Sequence, residues 1–149
     1  MKIVINSRFG GFGLSHKAVM RYAELKGIKL YAWVDALVKS VYGKDIPISE
    51  ATFVHYTLVP EEEYEAILEQ EREKPIEVGR FEKSNELYFS DKDIPRDDPD
   101  LIQVIRELGK QADSKCSKLK IVNIPKDVEY EIEEYDGNEW ISEKHRRWE

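Results

Sequence analysis

The sequence predicts an α/β (α+β) protein in which a mixed β-sheet packs with about three helices. Two observations support this: strand-like and helical segments are interspersed along the 149 residues, and 41% of the residues are hydrophobic. We expect a single domain spanning residues 1–149, because no linker, internal repeat or low-complexity tract divides the chain. The formal net charge of −7 disfavours binding to long nucleic acid, whose phosphates are also negative.

Three segments carry signals for helices. Ser15 is a good N-cap for the first helix, and Gly27 stands where a C′ glycine ends such a helix. Pro60 and the three glutamates after it predict the start of a second helix, expected to end near residue 73. Asp98 followed by Pro99 predicts a third helix, whose wide apolar face makes it the best-buried helix of the chain.

The predicted strands are short and rich in β-branched and aromatic residues. They are expected at residues 2–6, 28–34, 52–59, 86–90, 119–124 and 128–135. Residues 35–42 fit either a short helix or irregular structure, and residues 43–49 are expected to form a loop. Asp136 and Gly137 predict a turn.

The opening stretch combines a strand, a glycine loop and a helix N-terminus. The loop residues are Phe9, Gly10, Gly11, Phe12 and Gly13. Such a layout lets the backbone approach a ligand closely and directs N–H groups at it, which suits phosphate. The spacing matches neither the dinucleotide-binding pattern nor the Walker pattern. A glycine loop that only turns a tight corner therefore stays open as the alternative.

A second set of candidate ligand residues lies near the end of the sequence. Its members are Trp140, His145, Arg146, Arg147 and Trp148. Arginine grips phosphate and stacks on bases, and tryptophan rings accept bases or cations. Arg8 in the opening stretch and Arg96 would add further cations. The alternative is that the two tryptophans anchor this segment on the protein while its arginines pair with acids.

Motifs for metal binding and catalysis are weak. The three histidines lie far apart in the sequence, and Cys116 is the only cysteine, so a zinc site is not expected. Asp97, Asp98 and Asp100 fit helix capping better than binding of Mg²⁺. We therefore predict no cofactor, no metal and no enzymatic activity.

The sequence also bears on the compartment. No apolar run approaches the roughly 18 residues of a membrane span, so no membrane contact is predicted. The N-terminal segment lacks the length and the cleavage site of a signal peptide. A single cysteine fits a reducing interior. We expect a cytoplasmic protein.

Three blocks of sequence are distinctive. They are Lys-Ile-Val-Ile-Asn and Gly-Gly-Phe-Gly-Leu-Ser at the start, Ile-Pro-Arg-Asp-Asp-Pro-Asp-Leu in the middle, and Val-Glu-Tyr-Glu-Ile-Glu-Glu-Tyr-Asp-Gly with Glu-Lys-His-Arg-Arg-Trp at the end. These blocks resemble a widespread family of small tailed-phage proteins, identified here with the phage anti-CBASS sponge proteins. The resemblance covers roughly half the chain, and residues 35–84 take no part in it.

The resemblance implies a phage immune-evasion protein of the host cytoplasm. Such a protein binds and sequesters a cyclic dinucleotide defence signal without cleaving it, as a homo-oligomer such as a tetramer. The ligand contacts are predicted from residue chemistry alone: Arg8, Phe9, Gly10, Gly11, Phe12, Gly13, Ser15, Arg96, Trp140, His145, Arg146, Arg147 and Trp148. Two alternatives stay open. One is an acidic inhibitor that binds a host protein directly, and the other is a metal-dependent phosphoesterase that uses Asp97, Asp98 or His145.

Overall fold

The α+β class is confirmed by the computed structural model, which describes residues 1–42, 47, 48, 51 and 53–144. Contacts divide these residues into two compact units. The terminal unit combines residues 1–26 with the described residues from 91 onward, and the middle unit holds those between 27 and 90. A single domain over the whole chain stays a prediction. The expected loop at 43–49 lies largely outside the described residues, as does residue 52 of an expected strand.

The helices and strands of the described residues are as follows. The helices are α1 (His16–Lys26), α2 (Ala36–Tyr42), α3 (Glu61–Arg72), α4 (Glu82–Leu87) and α5 (Pro99–Leu108). The strands are β1 (Lys2–Asn6), β2 (Tyr31–Trp33), β3 (His55–Thr57), β4 (Tyr88–Phe89), β5 (Leu119–Asn123), β6 (Tyr130–Tyr135) and β7 (Asn138–Glu143). Among these helices, none combines the length and the apolar character needed to cross a bilayer.

The described strands form three small antiparallel sheets, and the prediction of one mixed sheet is wrong. In the terminal unit, β1 pairs with β5, and β6 pairs with β7 as a hairpin. In the middle unit, β3 lies between β2 and β4. The two-residue turn that joins β6 to β7 dictates antiparallel pairing there, because parallel pairing needs a long crossover connection.

The core of the terminal unit is built from β1, α1 and α5. Four consecutive residues of β1, from Ile3 to Asn6, are buried, so this strand is covered on both of its faces. Helix α1 packs against α5, and both bury one apolar face. The apolar side chains with no more than 1% exposure are Ile3, Val4, Ala18, Val19, Leu101, Val104 and Ala112.

The predicted ends of the helices in this unit are confirmed. The Ser15 hydroxyl accepts the Ala18 amide at 3.1 Å, as an N-cap does. Gly27 follows α1 with φ of +71°, the left-handed conformation of a C′ glycine. The Asp98 carboxylate accepts the Asp100 amide at 2.8 Å at the start of α5. Local capping chemistry thus fixes where α1 and α5 begin.

Aromatic packing organises the middle unit. The buried Trp33 indole donates to the Thr57 hydroxyl across β2 and β3 at 2.9 Å. The Trp33 ring lies 5.7 Å from the ring of Tyr64, through which α3 contacts the sheet. Residues 35–42, left open by the sequence, contain helix α2, and α4 includes the first two residues of the strand expected at 86–90. At the start of α4, Glu71 of α3 accepts the Ser84 amide at 3.1 Å.

Candidate functional site at the glycine loop

The glycine loop, which from here on also includes Arg8 and so spans residues 8–13, follows β1 and is held by two turns of the terminal unit. Gly10 has φ of +118°, and a Cβ there would lie 2.8 Å from the carbonyl oxygen of Cys116. On the other side, a Cβ at Gly137 in the β6–β7 turn would collide with the Gly11 backbone. Backbone therefore packs directly on backbone at both places, and a tight corner is one function of these glycines.

Several polar groups of the loop are already used inside the protein. The Gly10 amide donates to the Asp136 carbonyl at 3.0 Å, and the Leu14 amide donates to the Asp91 carboxylate at 2.8 Å. The Gly13 carbonyl accepts the Ser117 hydroxyl at 2.7 Å. Because these groups have partners, the amides of residues 10 and 14 are not the free N–H donors that a phosphate loop presents.

The polar groups of Ser15 are also hydrogen-bonded inside the protein. Besides capping α1, its hydroxyl donates to the Gln111 carbonyl at 2.6 Å. The Ser15 amide donates to the Ala112 carbonyl at 2.9 Å. The structure thus gives Ser15 a structural role, and its role as a ligand contact stays a prediction.

Arg96 and Phe12 are brought together, but in the interior of the terminal unit. The Arg96 guanidinium makes two hydrogen bonds to the Glu139 carboxylate, at 2.7 and 2.9 Å. It also lies 3.6 Å from the centre of the buried Phe12 ring. The side chains of Arg96 and Glu139 are 19% and 8% exposed. This bidentate, largely desolvated pair holds the guanidinium, so phosphate binding by Arg96 stays a prediction.

The Arg96–Glu139 pair also completes the open edge of β1. The Val4 amide donates to the Arg96 carbonyl at 2.9 Å, and the Val4 carbonyl accepts a hydrogen bond from the Arg96 guanidinium at 3.2 Å. The next outward amide of this edge, that of Asn6, donates to the Glu139 carboxylate at 2.8 Å. The side chains of Arg96 and Glu139 and the Arg96 carbonyl thus satisfy outward backbone groups of β1 that a neighbouring strand would otherwise bind.

Arg8 and Phe9 carry exposed side chains, whereas the side chain of Phe12 in the same loop is buried. Phe9 is 59% exposed, and its ring meets the 72% exposed Tyr135 edge to face, with the ring centres 6.4 Å apart. The Arg8 guanidinium lies at the surface, 3.4 Å from the Lys115 carbonyl. The Lys118 carbonyl accepts the Ser7 amide at 2.8 Å. These contacts bring the backbones of Lys115 and Lys118 next to the Ser7–Phe9 segment. We call the three exposed basic residues of these segments, Arg8, Lys115 and Lys118, the cation cluster.

Trp140 lies on the same face of the hairpin as Tyr135. It pairs with Glu133, two residues before Tyr135, and side chains two apart on a strand share a face. Trp140 is 43% exposed, and its indole donates to the Glu133 carboxylate at 2.9 Å. The remaining predicted contacts, His145, Arg146, Arg147 and Trp148, lie outside the described residues.

The sequence prediction missed Asn6, whose buried side chain joins three segments. Its amide group donates to the carbonyls of Arg8 and Gly137, both at 2.7 Å, and its oxygen accepts the Lys118 amide at 2.8 Å. Asn6 is 0% exposed. The signal was a single polar residue directly after a buried apolar run. Tyr135 and Glu139 were also missed, because their roles depend on pairing across long sequence separations.

A second polar cluster lies in the middle unit. The imidazole of His55 is 2.9 Å from the Tyr88 hydroxyl through Nδ1 and 3.3 Å from the Asp35 carboxylate through Nε2. The His55 ring also lies against Trp33, with 4.6 Å between the ring centres. The Asp35 carboxylate, the His55 imidazole and the Tyr88 phenol thus contact one another in that order, and such a series of polar groups can relay a proton. It also ties the start of α2 to β3 and β4.

The acids considered for catalysis are tied into the helix start. Asp98 is 8% exposed and accepts the Tyr22 hydroxyl at 2.8 Å. Lys26 forms ion pairs with Asp98 at 3.0 Å and with Asp100 at 2.8 Å. Within the described ranges, no group of three or more histidine, cysteine or acidic side chains has the arrangement of a metal site. Cys116 is exposed in the turn that contacts Gly10.

Comparison of the chain with protein-family models, with curated proteins and with solved structures gives no match.

Proposed function

We propose that the protein binds and sequesters a cyclic dinucleotide signal of host antiviral defence, in the host cytoplasm and without cleaving it. The observation that carries the proposal is the display of Arg8 and Phe9. Both side chains are exposed on a loop whose backbone is otherwise fixed by internal contacts. A rigid loop loses little conformational entropy when it binds, which favours affinity.

The chemistry of the surroundings fits such a ligand. Phe9 and Tyr135 offer ring faces on which bases stack, and stacking contributes about 1–3 kcal/mol per base. The cation cluster offers charge to the phosphates. The β6–β7 hairpin is acidic, so we place the phosphates on the side of Arg8, Lys115 and Lys118 rather than along the hairpin.

The ligand also supports the proposal of a homo-oligomer. A cyclic dinucleotide has two bases and two phosphates related by an approximate two-fold axis. One glycine loop supplies one exposed arginine and one pair of exposed rings. Two copies of the loop would match both halves of the ligand, as closed symmetry allows.

The test is equilibrium binding to a panel of cyclic dinucleotides, followed by recovery of the ligand from heat-denatured protein. We expect tight, reversible binding and intact ligand. Arg8→Ala removes charge-assisted hydrogen bonds and should weaken binding at least tenfold, and Phe9→Ala should do the same through lost stacking. Arg106→Ala, which removes an equal charge from the exposed face of α5, should leave affinity unchanged.

Three outcomes would contradict the proposal. They are the absence of binding at low micromolar protein, the recovery of degraded ligand, and equal affinities for the wild-type protein and both loop variants. Arg146→Ala and Arg147→Ala test the predicted contribution of the segment outside the described residues. If binding is unchanged in both, that segment is a structural anchor and its assignment to the ligand site is wrong.

A further inference from the structure

The outer edge of β6 is open within the described part of the chain, where β6 pairs with β7 alone. The Lys144 amide donates to the Glu129 carbonyl at 2.9 Å, which identifies the pair 129/144 as hydrogen-bonded. Hydrogen-bonded pairs recur at every second position of an antiparallel ladder. Tyr130, Ile132 and Glu134 therefore direct their N–H and C=O groups away from β7, as a template for another strand.

The hairpin that carries this edge is strongly acidic. Of the 17 residues from 127 to 143, eight are acidic and none is lysine or arginine. Glu131 and Glu133 lie on the same hairpin face as Tyr135 and Trp140. Acids alone would be ordinary protection of a sheet edge. Protection does not account for two exposed aromatic rings beside them, since exposed rings favour association.

We propose that the β6 edge is a docking site for an extended, basic segment of a partner protein, which adds to the hairpin as a further strand. The outward backbone groups would bind the backbone of the partner segment. Lysine or arginine at alternate positions would face Glu131 and Glu133 of β6, and one of them would lie over the ring of Tyr135 on the same strand. Apolar residues between them would lie beside Ile132, on the opposite face.

Charge selects this occupant over a second copy of the same strand. Pairing two β6 strands would place three glutamates of one copy against three of the other, and like charges across a sheet are destabilising. A basic segment instead gains from the field of the whole hairpin, which also accelerates its association. This site goes beyond the proposed nucleotide site, with which it shares the exposed ring of Tyr135 but not the cation cluster.

The test uses a blocked peptide of alternating lysine and valine, with glutamate in place of every lysine in the matched control peptide. We expect calorimetric binding of the lysine peptide and none of the glutamate peptide. Glu134→Pro should weaken binding at least tenfold, because the Glu134 amide points outward and its loss leaves the β6–β7 ladder intact. Circular dichroism and thermal unfolding check that this variant is folded.

A second variant tests the charges and does not depend on the proline. The double substitution Glu131→Gln and Glu133→Gln should weaken peptide binding about tenfold and reduce its dependence on salt. Glu62→Gln with Glu65→Gln removes the same charge from α3 and should leave binding unchanged.

The proposal is overturned if the lysine peptide does not bind, if both peptides bind equally, or if a folded Glu134→Pro variant binds like the wild type. The proposal is also overturned if the lysine peptide does not bind and the protein self-associates in a way that Glu134→Pro abolishes. That result would assign the β6 edge to a second copy of the chain. Arg8→Ala separates the two proposals, since it should weaken nucleotide binding and leave peptide binding unchanged.

Discussion

At the scale of single residues, Asn6 holds the glycine loop in place. Replacing it by alanine leaves the carbonyls of Arg8 and Gly137 and the amide of Lys118 without partners in a buried site. Unsatisfied buried groups cost about 1–3 kcal/mol each, and relaxation recovers part of this. We expect Asn6→Ala to lower the free energy of unfolding by about 2–4 kcal/mol in urea titrations.

Asn123→Ala is the matched control for Asn6. Asn123 ends β5, the partner strand of β1, and is exposed. Its substitution should change the free energy of unfolding by less than about 0.5 kcal/mol. Equal effects of the two substitutions would show that the buried amide does not organise the loop.

The Arg96–Glu139 pair is the second residue-scale prediction. Removing either partner leaves a charge in a site where the two side chains are 19% and 8% exposed. Breaking such a pair costs about 3–5 kcal/mol, whereas replacing both partners by apolar residues costs less. We expect the double variant Arg96→Met with Glu139→Met to lose less unfolding free energy than the sum of the losses in the two single variants. A thermodynamic cycle measures this coupling, and an additive result would contradict the paired role.

At the scale of elements, the β6–β7 turn and the end of α1 allow a test of close backbone approach. Gly27 and Gly137 both have positive φ, +71° and +86°. A Cβ at Gly27 meets nothing within 4 Å, whereas a Cβ at Gly137 collides with the Gly11 backbone. We expect Gly27→Ala to cost about 1 kcal/mol of unfolding free energy and Gly137→Ala several times more. Similar costs would mean that the hairpin turn moves freely away from the loop.

The start of α5 predicts how stability depends on pH. Burial disfavours the charged form of Asp98, but hydrogen bonds from Tyr22 and Lys26 outweigh this and hold its pKa below the usual 3.8. A lowered pKa in the folded state stabilises the fold above pH 3.8, and this contribution disappears as the pH falls through the folded value. We expect the melting temperature to fall in acid, and less steeply in Asp98→Asn.

Tyr22 gives the corresponding effect in alkali. Burial, together with the hydrogen bond to Asp98, raises the pKa of Tyr22 from 10.0 to about 12. Its contribution to stability is complete below pH 10 and is lost as the pH rises towards 12. Tyr22→Phe should remove this alkaline dependence, which spectroscopic titration of unfolding against pH would measure.

The elements also show which features the sequence predicts. The first turns of α1 and α5 were predictable because Ser15 and Asp98 cap them with local hydrogen bonds. The role of Glu139 was not, since its partner Arg96 lies 43 residues earlier in the sequence. Strand β7 was also missed, although the turn at Asp136 and Gly137 that joins it to β6 was predicted. The same limit applies to the site. Residue chemistry predicts both Arg8 and Arg96 as ligand contacts. Only the structure, in which Arg96 pairs with Glu139, shows that Arg96 is internal and Arg8 is exposed.

At the scale of the whole molecule, the division into two units makes the terminal unit a candidate for independent folding. Its core joins β1 and α1 to α5 and β5, and the whole glycine loop lies within it. We expect a chain in which a flexible linker of about 12 glycine and serine residues replaces residues 27–90 to keep this fold, because such a linker spans up to roughly 40 Å.

The measurement for this shortened chain is cooperative thermal unfolding together with cyclic dinucleotide binding. Retained cooperativity is expected because the buried apolar set of β1, α1 and α5 is unchanged. Retained binding would place the nucleotide site in the terminal unit, whereas folded protein that no longer binds would mean that the middle unit contributes to the ligand site. Loss of cooperative unfolding would support the single domain over residues 1–149 that the sequence predicts.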